Sequence, residues 1–159
     1  MRPVTYIATT IPSYYFDERP SLEFEIRRTR EWWNEERFDY ELVTSEAVLA
    51  EVDSPGNPNA RNCLDLLEDI PCVSVSADVV RIAETYMEAG IMPRGKGLDA
   101  LHLALASFYR TDILLTWNCR HLANPNKFQA IRQTNTALGL FVPILTTPYE
   151  LRRIPSEDA

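Results

Sequence analysis

The segment Ile113-Leu114-Leu115 constrains this chain more than any other. It lies between Asp112 and Thr116 and is apolar at every position rather than at alternate ones. Successive side chains on a strand point to opposite faces, so an unbroken apolar run needs cover on both. A central strand of a parallel sheet provides that cover, and parallel strands need long crossovers, usually helical. The rest of the sequence supplies them. Short runs rich in β-branched and aromatic residues predict strands at 4–7, 40–43, 72–75, 112–116 and 140–144. Apolar residues at helical spacing predict helices at 21–37, 45–52, 59–69, 76–89, 98–109 and 125–138. Ser21, Ser45 (or Thr44) and Ser76 read as N-caps, and Gly90 and Gly139 as stops. Alternating strands and helices give an α/β chain with a mainly parallel sheet of about five strands, covered on both sides.

With 159 residues and 45% hydrophobic content, the chain suits one compact domain, 1–150, followed by a short polar tail, 151–159. No apolar run approaches the ~20 residues that span a bilayer. The first residues reach Val4 and Tyr6 without the basic and long apolar regions of a signal peptide, so a cytoplasmic protein with no membrane partner is expected. Cys63, Cys72 and Cys119 form no CxxC pair; Cys63 and Cys72 read as core thiols and Cys119 as a packing thiol. The net charge is −7, yet its distribution is uneven. Residues 1–89 hold 18 acidic and 8 basic side chains, whereas residues 90–132 hold 2 acidic and 6 basic ones. An acidic protein with one basic sector can hold a polyanion locally; solvated surface charge is the plainer alternative.

Open α/β sheets bind ligands outside the carboxyl ends of their strands. The polar residues there are Ala8-Thr9-Thr10 after the first strand, Glu46 and Glu51 on the helix after the second, Asp99 at the start of the Leu- and Ala-rich helix, and Thr116-Trp117-Asn118 after the fourth strand. Asp99 is the sharpest signal, although a first-turn carboxylate also complements the helix dipole by ~0.3–1 kcal/mol. Glu51 falls three residues after Val48, at the edge of the apolar face; a surface carboxylate is the alternative. The Asn118 carboxamide either ligates a hard cation through oxygen or caps a turn. Thr116 offers a hydroxyl to a phosphate. His102, three residues after Asp99, orients Asp99, touches substrate, or is simply a hydrogen-bonded structural histidine. With His121 the only other histidine, a His-based zinc site lacks ligands. No Walker A loop, GxGxxG or GxSxG motif is present.

Four pieces occur in a telling order: Tyr6-Ile7-Ala8-Thr9-Thr10-Ile11-Pro12-Ser13-Tyr14, Ser45-Glu46-Ala47-Val48-Leu49-Ala50-Glu51-Val52, Leu98-Asp99-Ala100-Leu101-His102-Leu103-Ala104, and Leu114-Leu115-Thr116-Trp117-Asn118-Cys119-Arg120-His121-Leu122. Together they resemble the PIN domain, and within it the VapC-like toxins of bacterial toxin–antitoxin pairs. The resemblance covers nearly the whole chain. It implies a PIN-like three-layer α/β/α fold and a Mg²⁺- or Mn²⁺-dependent endoribonuclease acting on RNA. A small antitoxin partner is implied too, in a homodimer or toxin–antitoxin hetero-oligomer. The family's acidic positions fall on Glu51 and Asp99 and, after the fourth strand, on Asn118, with Thr116 beside it. One position departs. The acid that closes the family's first strand is Ala8 here, and a methyl group cannot ligate. Two origins of Ala8 stay open: an introduced change that spares the expression host, or a natural loss. The alternatives to a toxin ribonuclease are a non-catalytic PIN-fold module that binds RNA or a protein partner, and a phosphatase-like α/β enzyme. The last lacks a nucleophile at a strand end.

Overall fold

The computed structural model describes residues 1–152. The strands β1 (Val4–Ile7), β2 (Glu41–Ser45), β3 (Cys72–Val73), β4 (Ile113–Leu115) and β5 (Ile144–Thr146) form one all-parallel sheet in the order β3-β2-β1-β4-β5. The helices among the described residues are α1 (Thr10–Tyr15), α2 (Glu23–Glu31), α3 (Glu46–Val52), α4 (Ala60–Leu67), α5 (Ala77–Glu88), α6 (Gly97–Phe108) and α7 (Pro125–Ala137). Sheet and helices make the expected three-layer α/β/α arrangement. On β4 the apolar run is sealed: Ile113 is 6% exposed, and Leu114 and Leu115 are fully buried. β1 pairs β4 with Thr5 opposite Ile113 and Ile7 opposite Leu115. Each fully buried aliphatic or aromatic side chain contributes about 1.5–3 kcal/mol.

Local chemistry sets the helix ends. Ser45 Oγ accepts the Val48 N–H at 3.2 Å and Ser76 Oγ accepts the Val79 N–H at 3.3 Å, as N-caps should. Gly90 and Gly139 take φ of 77° and 71°, the left-handed conformation that ends α5 and α7. α3 packs on α4 and α6, α5 on α6, and α1 on α2 and α4. None of the described helices is long and apolar enough to cross a membrane.

Several sequence expectations shift. The helix expected over 21–37 is α only from Glu23 to Glu31; a 3-10 turn precedes it, and a π turn (Trp32–Glu36) and a second 3-10 turn follow. Adjacent side chains on an α-helix diverge by about 100°. Here both Trp32 and Trp33 go inward, at 0% and 3% exposure, and the wider turn accommodates them. They belong to the core, and Phe38 is left 59% exposed. The last strand begins at Ile144, not Leu140, because Leu140 N–H closes on Asn135 O and Pro143 has no N–H to give. β3 stops at Val73 because Val75 N–H turns to Glu46 Oε2. Cys63 is buried, but Cys72 and Cys119 are exposed, so neither packs as expected. The tail expected at 151–159 falls, from residue 153 onward, outside the described residues.

Candidate functional site

β1 lies between β2 and β4, so the connections leave it toward opposite sides of the sheet and a crevice opens beyond the ends of β1 and β4. Ala8, Thr9 and Thr10 follow β1, and Thr116, Trp117 and Asn118 follow β4. α3 brings Glu51 and α6 brings Asp99 to the same place. They line an open cleft of about 770 Å³ with Asn118, Lys96, Arg120 and His121. A second recess, of about 510 Å³, lies between Asp17 and Arg30. There Arg19 pairs with Asp17 and Arg27 with Glu23, and Arg30 donates to the Tyr15 carbonyl.

The first-strand position is closed off. Ala8 is 2% exposed, and its N–H extends the ladder to Leu115 O at 3.1 Å. Thr10 Oγ1 accepts the Trp117 N–H at 2.8 Å and lies 3.2 Å from Thr116 Oγ1. The Thr116 hydroxyl, in a residue 1% exposed, accepts the Asn118 N–H at 3.0 Å. Thr116 therefore holds the turn after β4 instead of reaching toward a phosphate. Asn118 is engaged at both ends. Its Oδ1 accepts the His121 N–H at 3.0 Å, and its Nδ2 donates to Asp99 Oδ1 at 2.9 Å. A backbone N–H only donates, so the amide oxygen must face His121 and the NH₂ must face Asp99. Of the two roles open to Asn118, its oxygen takes the turn cap here, and toward Asp99 the amide is a hydrogen-bond donor.

Glu51 sits in a tighter setting. Its Oε1 accepts from Thr9 Oγ1 at 2.5 Å and from His102 Nε2 at 3.0 Å. Burial pushes the Glu51 carboxyl up, but the bonds from His102 and Thr9, with the His102 charge, outweigh it and hold the group below the ordinary carboxylate range. His102, 4% exposed, thus orients Glu51 and not Asp99. Beside His121, Lys127 Nζ donates to Ile91 O at 2.9 Å. Burial lowers the Lys127 ammonium and the Asp99 charge opposes that shift. Burial, and then the Lys127 charge, lower His121.

Among the described residues no three His, Cys, Asp or Glu side chains converge as a metal cage. The donor set nonetheless suits a lean hard-cation site. Hydrogen bonds engage Glu51 Oε1 and Asp99 Oδ1, and leave Glu51 Oε2 and Asp99 Oδ2 without a bond among the described residues. One or two carboxylates, with water and phosphate, is the usual protein contribution to Mg²⁺.

Glu51, Asp99 and Asn118, singled out from the sequence, line one cleft. The sequence missed the hold of Thr9 and His102 on Glu51. Thr9 lay in the inspected strand-end triplet, but its partner comes from another βα unit. His102 was read against Asp99 on its own helix, whereas packing of α3 on α6 brings Glu51 to it.

No family model matches the chain, and no curated protein matches it. Solved structures do. A toxin–antitoxin complex from Klebsiella pneumoniae is 18% identical with a TM-score of 0.59, over 92% of this chain and 99% of that one. VapBC2 from Rickettsia felis, bound to a DNA fragment from the promoter, is 19% identical with a TM-score of 0.53, over 91% and 98%. VapC20 from Mycobacterium tuberculosis, described as a sarcin-ricin loop cleaving toxin, is 14% identical with a TM-score of 0.53, over 74% and 92%. The fold of this chain is that of the VapC-type PIN-domain structures.

Proposed function

We propose that this chain is a toxin-type, metal-dependent endoribonuclease whose metal carboxylates are Glu51 and Asp99, with the carboxylate set left incomplete by Ala8. The observation that carries the reading is the meeting of Glu51 and Asp99 in one cleft at the β1–β4 crevice, with Lys96 and Arg120 on the same rim. The fold shared with structures described as toxins supports it.

The ion expected is Mg²⁺ or Mn²⁺, since hard cations take oxygen ligands. When bound, it supplies a Lewis acid and a more acidic attacking water. The chain's own residues do the rest. Asp99 and Glu51 offer their free oxygens. The Asn118 amide steadies Asp99 by donating to Oδ1. Lys96 and Arg120 are placed to hold the phosphates beside the scissile bond, where an overall charge of −7 would otherwise repel RNA. The partner is a small antitoxin, in a dimer or hetero-oligomer like the toxin–antitoxin complexes that share the fold, and the compartment is the cytoplasm.

A second reading, a non-catalytic module that binds RNA or protein, draws on Ala8 and on the inward-turned Asn118 oxygen. One experiment separates the two. Ala8→Glu restores the acid at the first-strand position, and RNA cleavage is measured with Mg²⁺ or Mn²⁺, with and without EDTA. The ribonuclease reading expects EDTA-sensitive cleavage by Ala8→Glu, abolished by adding Asp99→Asn. No such cleavage over a broad RNA panel, with RNA binding that persists in EDTA, establishes the binding module instead.

A further inference from the structure

Behind Glu51 lies a run of buried polar groups that the cleft chemistry does not use. His102 Nδ1 is 2.8 Å from Tyr6 Oη, and Tyr6 Oη is 2.8 Å from Ser45 Oγ. Tyr6 and Ser45 are sealed from solvent. A hydroxyl placed there costs free energy unless bonded, and a phenylalanine would fill the same strand position without that cost. Burial drives the Tyr6 phenol far above its ordinary range, so it stays protonated and has one proton to give.

Donor accounting fixes the Glu51 end of the run. A carboxylate only accepts, so His102 Nε2 carries the proton that faces Glu51. With the ring neutral, Nδ1 accepts from Tyr6 O–H and the Tyr6 oxygen accepts from Ser45 O–H; with both ring nitrogens protonated, both bonds reverse and every partner is kept. Ser45 Oγ accepts in turn from Val48 N–H, in the first turn of α3, the helix that carries Glu51. The circuit closes on itself through β1, the β2–α3 junction and α6. Side chains alternate along a strand, so residue 8 shares the face of Tyr6. The circuit therefore runs beside the position where a carboxylate is lacking.

We propose that Tyr6 and His102 are positioning residues that keep Glu51 aimed into the cleft, so that its free oxygen meets a divalent cation without a carboxylate at residue 8. The proposal rests on the reading of Glu51 as a metal carboxylate. If the circuit were packing alone, breaking it would change stability and leave cation affinity unchanged. The test is a Mn²⁺ titration of the full chain, read from the free-ion EPR signal, alongside the thermal midpoint of each variant. Tyr6→Phe removes one hydroxyl and keeps the ring. His102→Leu removes the donor to Glu51, and His102→Gln returns an N–H near the same place. The expected result is about a tenfold loss of Mn²⁺ affinity in Tyr6→Phe and His102→Leu, the scale of outer-shell effects on metal sites. His102→Gln recovers most of that loss. Parent affinity in Tyr6→Phe and His102→Leu, with affinity lost in Glu51→Gln and Asp99→Asn, overturns the positioning role and leaves the metal reading standing. A parent that binds Mn²⁺ no better than Glu51→Gln and Asp99→Asn overturns both. If His102→Leu does not fold, Tyr6→Phe and His102→Gln decide the matter.

Discussion

Arg28 and Glu51 both sit in polar networks drawn out of bulk water, and they differ in where their bonding capacity goes. Arg28 is 5% exposed. Its Nη1 meets Glu31 and Glu36, its Nη2 meets Glu36 and Leu151 O, and its Nε donates to Pro148 O at 2.6 Å. All five guanidinium N–H groups have partners within the chain. Glu51 has both its bonds on Oε1, and Oε2 is left facing none among the described residues. A network closed on itself fixes structure: Arg28 ties α2 and the π turn to the segment after β5. A network with one unbonded atom at the wall of a cleft can act on something else. The strength of the pairing does not tell a structural charge from a functional one; the unused valence does.

The largest test of that contrast is Arg28→Ala. It takes the guanidinium away from Glu36 and from the carbonyls of Pro148 and Leu151, and a broken buried pair costs about 3–5 kcal/mol. Urea unfolding should show that loss, while Mn²⁺ affinity of the folded fraction stays at the parent value. A fall in both would join the two networks. Ser45→Ala comes next, removing the α3 cap and a hydrogen-bond partner of Tyr6, at about 1–2 kcal/mol. Its unfolding midpoint should fall, and Mn²⁺ affinity with it, since the cap and the aim of Glu51 share one hydroxyl.

Lys96→Ala and Arg120→Ala address the basic side chains of the same cleft. Neither makes a salt bridge among the described residues, so stability should hold. RNA binding should weaken, with the log–log salt slope reduced by about 1 for each removed phosphate contact. An unchanged slope would remove these side chains from the RNA path.

The smallest expected effect concerns pH. Glu51 is held below the ordinary carboxylate range in the folded state. Its contribution to stability is therefore complete above the unfolded carboxylate value and fades as pH falls through the lowered folded value. With metal chelated, Glu51→Gln should flatten that part of the acid limb in a midpoint-against-pH series. An acid limb identical to the parent's would mean that the His102 and Thr9 bonds do not favour the ionised form.

Legibility in the sequence followed the range of the cause. Ile113-Leu114-Leu115 announced a strand covered on both faces because strand burial is a local pattern, and the caps Ser45 and Ser76 could be read for the same reason. The strand-end rule led to Glu51 and Asp99, since the order of elements alone places those ends together. What escaped depends on packing between units. The π turn at Trp32–Glu36 arises because two adjacent indoles are both drawn inward, which no helical periodicity encodes. The direction of the Asn118 amide is decided by the His121 N–H, and the partner of His102 by the approach of α3 to α6. The buried hydroxyl of Tyr6 was in plain sight within an apolar strand, but its partners lie 39 and 96 residues away.

The central claim is that Glu51 and Asp99 hold a divalent cation between them in this cleft. Crystals of the chain soaked in Mn²⁺ and measured for anomalous scattering test it most directly. The account predicts a Mn²⁺ peak at bonding distance from Asp99 Oδ2 and Glu51 Oε2, with water completing the shell. A peak held by neither carboxylate, or no peak in the cleft, would contradict it.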